Sequence, residues 1–105
     1  MDKEKLKEII IEQIADDKAE NIEIFGPQND ITSYIIIATA RSPKHLSSVS
    51  EKLVENLKRT VGGVHAEGTY QNSEWILVDF GGIILHLFTE EQRKHFNLEE
   101  LYRKL

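Results

Sequence analysis

Leu6, Ile9, Ile10 and Ile14 recur at helical spacing through residues 4–18, with charged residues between them, and this periodicity predicts an amphipathic helix. Two short β-forming runs follow, Ile22 to Phe25 and Tyr34 to Thr39, separated by the turn formers Gly26, Pro27, Gln28, Asn29 and Asp30. A second helix has clear punctuation. Ser42 caps it, Pro43 takes the first position, where no amide hydrogen is needed, and Leu46, Val49, Leu53 and Leu57 form one apolar stripe. Lys58 and Arg59 complement the dipole in its last turn, and Gly62 with Gly63 supplies the stop. Residues 64–67 read as a short strand, and residues 75–80 and 83–88 as two strong ones joined by Gly81 and Gly82. Thr89 with Gln92, and Asn97 with Glu100, have capping-box spacing and open two short final helices. The order α-β-β-α-β-β-β-α-α predicts an α/β fold, one mixed sheet packed by helices in a single domain over residues 1–105.

The hairpin specifies more than its strands. A two-residue Gly-Gly loop suits a type I′ turn, since both glycines tolerate positive φ. Phe80 then lies opposite Ile83, and the pairs count outward to Trp75 opposite Phe88. Faces alternate along each strand and paired residues share a face. Ile76, Val78, Phe80, Ile83, Leu85 and Leu87 therefore form one wholly apolar face, the core. Trp75, Leu77, Asp79, Ile84, His86 and Phe88 form the other, which mixes aromatic, aliphatic and ionisable groups. Two readings fit this second face. Further helices cover it and satisfy Asp79 and His86 internally, or it is an interface with aromatic anchors around a buried polar group.

Composition narrows the function classes. Hydrophobic residues make up 40% and charged residues 30% of 105 positions, which excludes a disordered chain. The net charge of −5 makes a poor general nucleic-acid binder and favours a basic protein partner. The charge is uneven: residues 1–20 carry four lysines against seven acids, whereas residues 41–60 carry five cations against two acids. With no cysteine there is no disulfide, thiolate chemistry or cysteine-ligated zinc. The start, Met1-Asp2-Lys3-Glu4-Lys5, lacks the pattern of a signal or transit peptide, and the longest purely apolar run, Ile35 to Ala38, is far short of a membrane span. A cytoplasmic protein is expected.

The stretch from Trp75 through Asp79 to Gly81, followed by His86, Leu87, Phe88 and Thr89, resembles the signature of the ribosomal silencing factor (iojap-related) family. Ala19 to Ile22, Asp30 to Tyr34, Ile37 to Ser42, His65 to Gly68 and Phe96 to Tyr102 extend the likeness, in order, over nearly the whole chain. The resemblance implies a compact domain with a nucleotidyltransferase-like core that lacks that catalysis. It also implies binding to a basic protein of the large ribosomal subunit, the fourteenth in its series, so that joining of the small subunit is blocked. A homodimer of the free protein is a further expectation from the resemblance. The chain departs from the family pattern at Gly82, where an acid is usual, and at Ala40 and Pro43, where Gly and Ser are usual.

On this resemblance Trp75 and Phe88 are expected as partner-binding anchors. Asp79, Glu67 and Asp30 are expected as acceptors for Lys or Arg of the partner, and Tyr34, Leu77, Phe80 and His86 as residues that shape the surface. Phe80 belongs to the signature although the hairpin register points it inward. Arg41, Lys44, Lys52, Lys58 and Arg59 make a basic helix that is either a solvated face or a rim contact with ribosomal RNA. His45 and His95 read as surface residues.

A metal-assisted nucleotidyl- or phosphoryl-transfer enzyme is the alternative. It needs a Gly-Ser turn at a helix start and closely spaced acids for magnesium. Ala40-Arg41-Ser42-Pro43 lacks the glycine, and no Asp-x-Asp follows. His65, Glu67, Asp79 and His86 have no spacing that makes them converge on a metal. No catalytic residue, cofactor or metal is assigned, and the protein is expected not to be an enzyme.

Overall fold

The computed structural model describes residues 2–26, 34–61, 64–67 and 74–103. The elements appear in the predicted order: α1 (Lys3–Asp16), β1 (Glu20–Phe25), β2 (Tyr34–Ala40), α2 (Pro43–Val61), β3 (His65–Glu67), β4 (Trp75–Asp79), β5 (Ile83–Thr89), α3 (Glu90–Phe96) and α4 (Leu98–Arg103). The residue 27–30 turn, the Gly62-Gly63 stop, Asp30 and Gly68 lie outside the described residues.

Local chemistry explains the boundaries. Asp2 caps α1, its carboxylate accepting the Lys5 amide at 2.8 Å. The helix ends at Asp16, two residues before the expected end, because Lys18 takes a left-handed φ of 72°. Ser42 caps α2 as expected, its hydroxyl accepting the His45 amide at 3.0 Å. Thr89 precedes α3 but makes no capping bond. Gln92 turns instead to Glu74, to which it donates at 2.9 Å, and the Thr89 hydroxyl is buried without a hydrogen-bond partner among the described residues. Asn97 directly precedes α4, as expected, and it has a second role. It ends α3 in the left-handed conformation, at φ 49°.

The sheet has five strands in the order β1-β2-β5-β4-β3, with β2 and β5 parallel and the other neighbours antiparallel. It is therefore mixed, as predicted. The hairpin register is also the predicted one, from Trp75 opposite Phe88 to Asp79 opposite Ile84. Phe80 donates its amide to the Ile83 carbonyl at 2.9 Å, and Gly81 and Gly82 take φ of 79° and 112°.

The helices divide between the two faces. Leu6, Ile10 and Ile14 of α1 and the Leu46, Val49, Leu53, Leu57 stripe of α2 pack on Ile76, Val78, Phe80, Ile83, Leu85 and Leu87, the apolar face read from the hairpin. Each fully buried aliphatic or aromatic side chain there contributes about 1.5–3 kcal/mol relative to exposure. The other face carries a smaller cluster of Ile35, Ile37 and Phe88, covered by Leu98 and Tyr102 of α4. This asymmetry leaves part of the second face open.

Candidate functional site

On the second face, Trp75 at the start of β4 stacks on Phe88 of β5, with ring centroids 5.1 Å apart and planes 23° apart. Phe96, the last residue of α3, closes on the same indole at 4.9 Å. Phe88 is fully buried, while Trp75 and Phe96 keep 36% and 45% of their surface exposed. The two readings of this face therefore divide it: α3 and α4 cover its Phe88 end, and Trp75 with Phe96 forms an aromatic shelf at the margin.

His86 lies beneath the shelf. The Trp75 indole Nε1–H donates to His86 Nδ1 at 3.2 Å, and Phe88 and Tyr102 face the imidazole with centroids 6.1 and 6.3 Å away. Burial pushes its pKa down to about 4, so at neutral pH it is an uncharged acceptor. Tyr102, in turn, meets Phe25 of β1 at 5.6 Å, and burial raises its phenol pKa.

The other expected site residues are dispersed. Leu77 and Asp79 are half-buried on the shelf face of β4. Asp79 Oδ1 accepts the amides of Gly81 at 2.9 Å and Gly82 at 3.4 Å, so this carboxylate oxygen first holds the hairpin turn. Phe80 is buried in the α1–α2 core, where the register pointed it, and offers no surface in this structure. Phe88 likewise supports Trp75 from below and is not itself a surface anchor. His86, at 5% exposure, is part of that support and contributes almost no surface.

Tyr34 lies on the opposite face of the sheet. It pairs in register with Ile83 and donates its hydroxyl to Glu4 of α1. The parallel β2–β5 register, which no local pattern encodes, separates it from Trp75. Glu67 takes the register position opposite Leu77, and Asp30 is outside the described residues.

Two residues escaped the sequence reading. Phe96 carries a weak signal, as the lone aromatic ending an otherwise polar α3. Arg93 carries none, because its partners are remote. Its guanidinium donates to Thr39 Oγ1 at 2.8 Å, to the Asn21 carbonyl, and to Glu99 Oε1 at 3.4 Å. An open cleft of about 450 Å³ adjoins it, lined by Asn21, Glu23, Thr39, Lys94 and Glu99 among others.

Three of the five cations read along α2 and its approach are paired with acids. Arg41 pairs with Glu20 at 3.0 Å, Lys52 with Asp17 at 3.7 Å and Lys58 with Glu55 at 2.9 Å. His45 is half-buried. Its Nδ1 accepts the Arg41 amide at 3.0 Å, which leaves Nε2–H to donate to the Asp17 carbonyl at 2.7 Å, joining α2 to the end of α1. His95 is exposed, edge-on to Phe96 at 5.1 Å. Among the described residues no three of His, Asp and Glu stand close enough to hold a metal ion, and no helix is long and apolar enough to cross a membrane.

Comparison with known proteins gives a consistent result. A crystal structure of a protein from Chromobacterium violaceum has the same fold, with a TM-score of 0.88 at 23% identity over 97% of this chain and 87% of that one. The ribosomal silencing factor RsfS of Zymomonas mobilis is 31% identical over 103 residues, covering 96% of this chain and 77% of its own length. The mouse protein named mitochondrial assembly of ribosomal large subunit protein 1 is 32% identical over 80 residues, covering 72% of this chain and 35% of its own length. The family model described as "Ribosomal silencing factor during starvation" matches residues 1–105. With the Trp75–Gly81 hairpin, its helical cover and this full-length match together, the chain belongs to the ribosomal silencing factor family.

Proposed function

We propose that this protein binds the large ribosomal subunit through a basic large-subunit protein, the fourteenth in that subunit's series, and sterically blocks association with the small subunit. The observation that carries the reading is the Trp75–Phe96 shelf, two large aromatic side chains exposed together on a face that α3 and α4 cover only in part. Such rings, rigid and apolar with one polar handle, are the side chains that dominate interface energetics when desolvated. Glu74, exposed beside Trp75, supplies negative charge suited to a basic partner.

The block requires no chemistry, because a bound protein occupies space that the other subunit needs. The reading includes a cytoplasmic protein that is not an enzyme. It also includes a homodimer of the free protein and a rim contact of α2 cations with ribosomal RNA, which would make part of the binding salt-dependent.

The test mixes purified large and small subunits with the protein and sediments them through a gradient. Co-migration with the large subunit and fewer joined ribosomes is the expected result. Protein left at the top of the gradient, with joining unaffected, would overturn the reading.

A further inference from the structure

A half-exposed tryptophan on a strand has several rotamers open to it, and fixing such a side chain on binding costs about 0.5–1.5 kcal/mol. In this structure Trp75 is already fixed. Phe88 lies under the indole and Phe96 beside it, but ring contacts of this kind tolerate sliding and rotation. The hydrogen bond from Nε1–H to His86 Nδ1 is directional and selects one orientation.

The sheet register makes this bond available. Trp75 pairs with Phe88 and Leu77 with His86, so Trp75 and His86 are diagonal neighbours on one face, within reach of long aromatic side chains. Their rings are 5.9 Å apart.

His86 is also poorly placed to touch a partner. At 5% exposure it sits among Trp75, Phe88 and Tyr102, with Ile37 as its neighbour on β2. Burying an imidazole in such surroundings is unfavourable unless its polar atoms are used. Its Nδ1 is used, and among the described residues only by the exposed tryptophan.

We propose that His86 is a positioning residue that makes no partner contact: it accepts the Trp75 indole hydrogen and holds that ring, with Phe96, in the orientation that docks. This rests on the interface reading given above. The neutral imidazole with its hydrogen on Nε2 is the required tautomer, and burial favours the neutral form at physiological pH.

Trp75 is the single tryptophan of the chain, so its indole gives one Nε1–H cross-peak in a ¹H–¹⁵N spectrum of the free protein. H86F keeps a ring but removes the acceptor, whereas H86N returns an acceptor near the Nδ1 position. H86F is expected to speed indole hydrogen exchange by about fivefold or more, the equivalent of one ordinary hydrogen bond. It should also weaken large-subunit binding by about fivefold, the cost of ordering one side chain. H86N should recover most of both effects. In a W75A background, H86F should change the affinity no further. H86L repeats the acceptor-free measurement if H86F does not fold.

Unchanged indole exchange in both H86F and H86L would overturn the proposal, as would a released indole with unchanged affinity while W75A weakens binding. A further loss from H86F in the W75A background would assign His86 a direct contact and also overturn it. If W75A itself leaves binding intact, the interface reading fails and the docking role of His86 fails with it. That outcome is distinguished by an indole signal that still responds to H86F.

Discussion

The guanidinium of Arg93 on α3 donates to the hydroxyl of Thr39 at the end of β2 across 2.8 Å, although 54 residues separate them. The same group reaches the Asn21 carbonyl of β1 and Glu99 of α4, so one buried cation joins both final helices to the sheet. Asn21 takes a left-handed φ of 49° at the β1 irregularity, next to the break in pairing between Glu20 and Glu23. Arg93→Met should cost about 3 kcal/mol, because it leaves half-buried Glu99 without its cation, while Glu23 keeps Arg103 at 2.6 Å. Urea denaturation of the two proteins checks this value. A loss under about 1 kcal/mol would mean that water replaces the guanidinium readily.

Phe96 should matter for binding far more than for folding. Being 45% exposed, it leaves little core behind when truncated, and Phe96→Ala should change stability by less than about 1 kcal/mol. Large-subunit affinity should fall by about 2 kcal/mol for Phe96→Ala, and by at least as much for Trp75→Ala. Ile24, equally exposed but on the α1–α2 face of the sheet, provides the control, and Ile24→Ala should leave affinity unchanged. Titration of each variant against large subunits decides the matter.

Gly81 is required by its backbone and not by crowding. Its φ is 79°, and a Cβ added there meets nothing within 4 Å. Gly81→Ala should therefore cost only the strain of the left-handed conformation, about 1–2 kcal/mol. Gly81→Asn should cost less, since asparagine visits that region more readily. Thermal or urea unfolding of both variants gives the comparison, and equal losses would show that something other than φ is responsible.

Burial of His86 makes stability depend on pH in one direction. Its pKa falls from the ordinary 6.5 to about 4 in the folded protein. Above pH 6.5 the ring is neutral in both states and its full contribution is present. Between 6.5 and about 4 the unfolded chain takes up a proton that the folded chain refuses, so stability falls with pH across this window and then levels off. The shift corresponds to a total loss of roughly 3 kcal/mol. Urea midpoints between neutral pH and pH 4.5, compared for wild type and His86→Phe, isolate this term from the carboxylates. The wild type should lose more stability over this range, and parallel slopes would refute the assignment.

The hairpin was legible in the sequence to the level of single pairs, for a physical reason. A two-residue Gly-Gly loop leaves one register, and strict alternation of Ile76, Val78 and Phe80 admits only one choice of core face. Both helix-forming stripes, the Ser42 cap and the element order are likewise local properties, carried by spacing and by residues that sit next to one another. The family signature is local in the same sense.

What the tertiary structure alone decided is which of those residues share a surface. Trp75 and Phe88 have similar sequence credentials, yet Phe88 is enclosed and Trp75 half-open, because α3 and α4 cross only one end of that face. Their placement depends on Arg93 meeting Thr39, Asn21 and Glu99, contacts spread over residues that no window of sequence joins. The side of the sheet that Tyr34 takes is decided in the same way, since the parallel register of β2 on β5 is set by long-range packing. Helix period and hairpin register follow from neighbours along the chain. The exposure of Trp75 and Phe96, on which the proposed interface rests, follows from which distant side chains happen to cover the rest of the sheet.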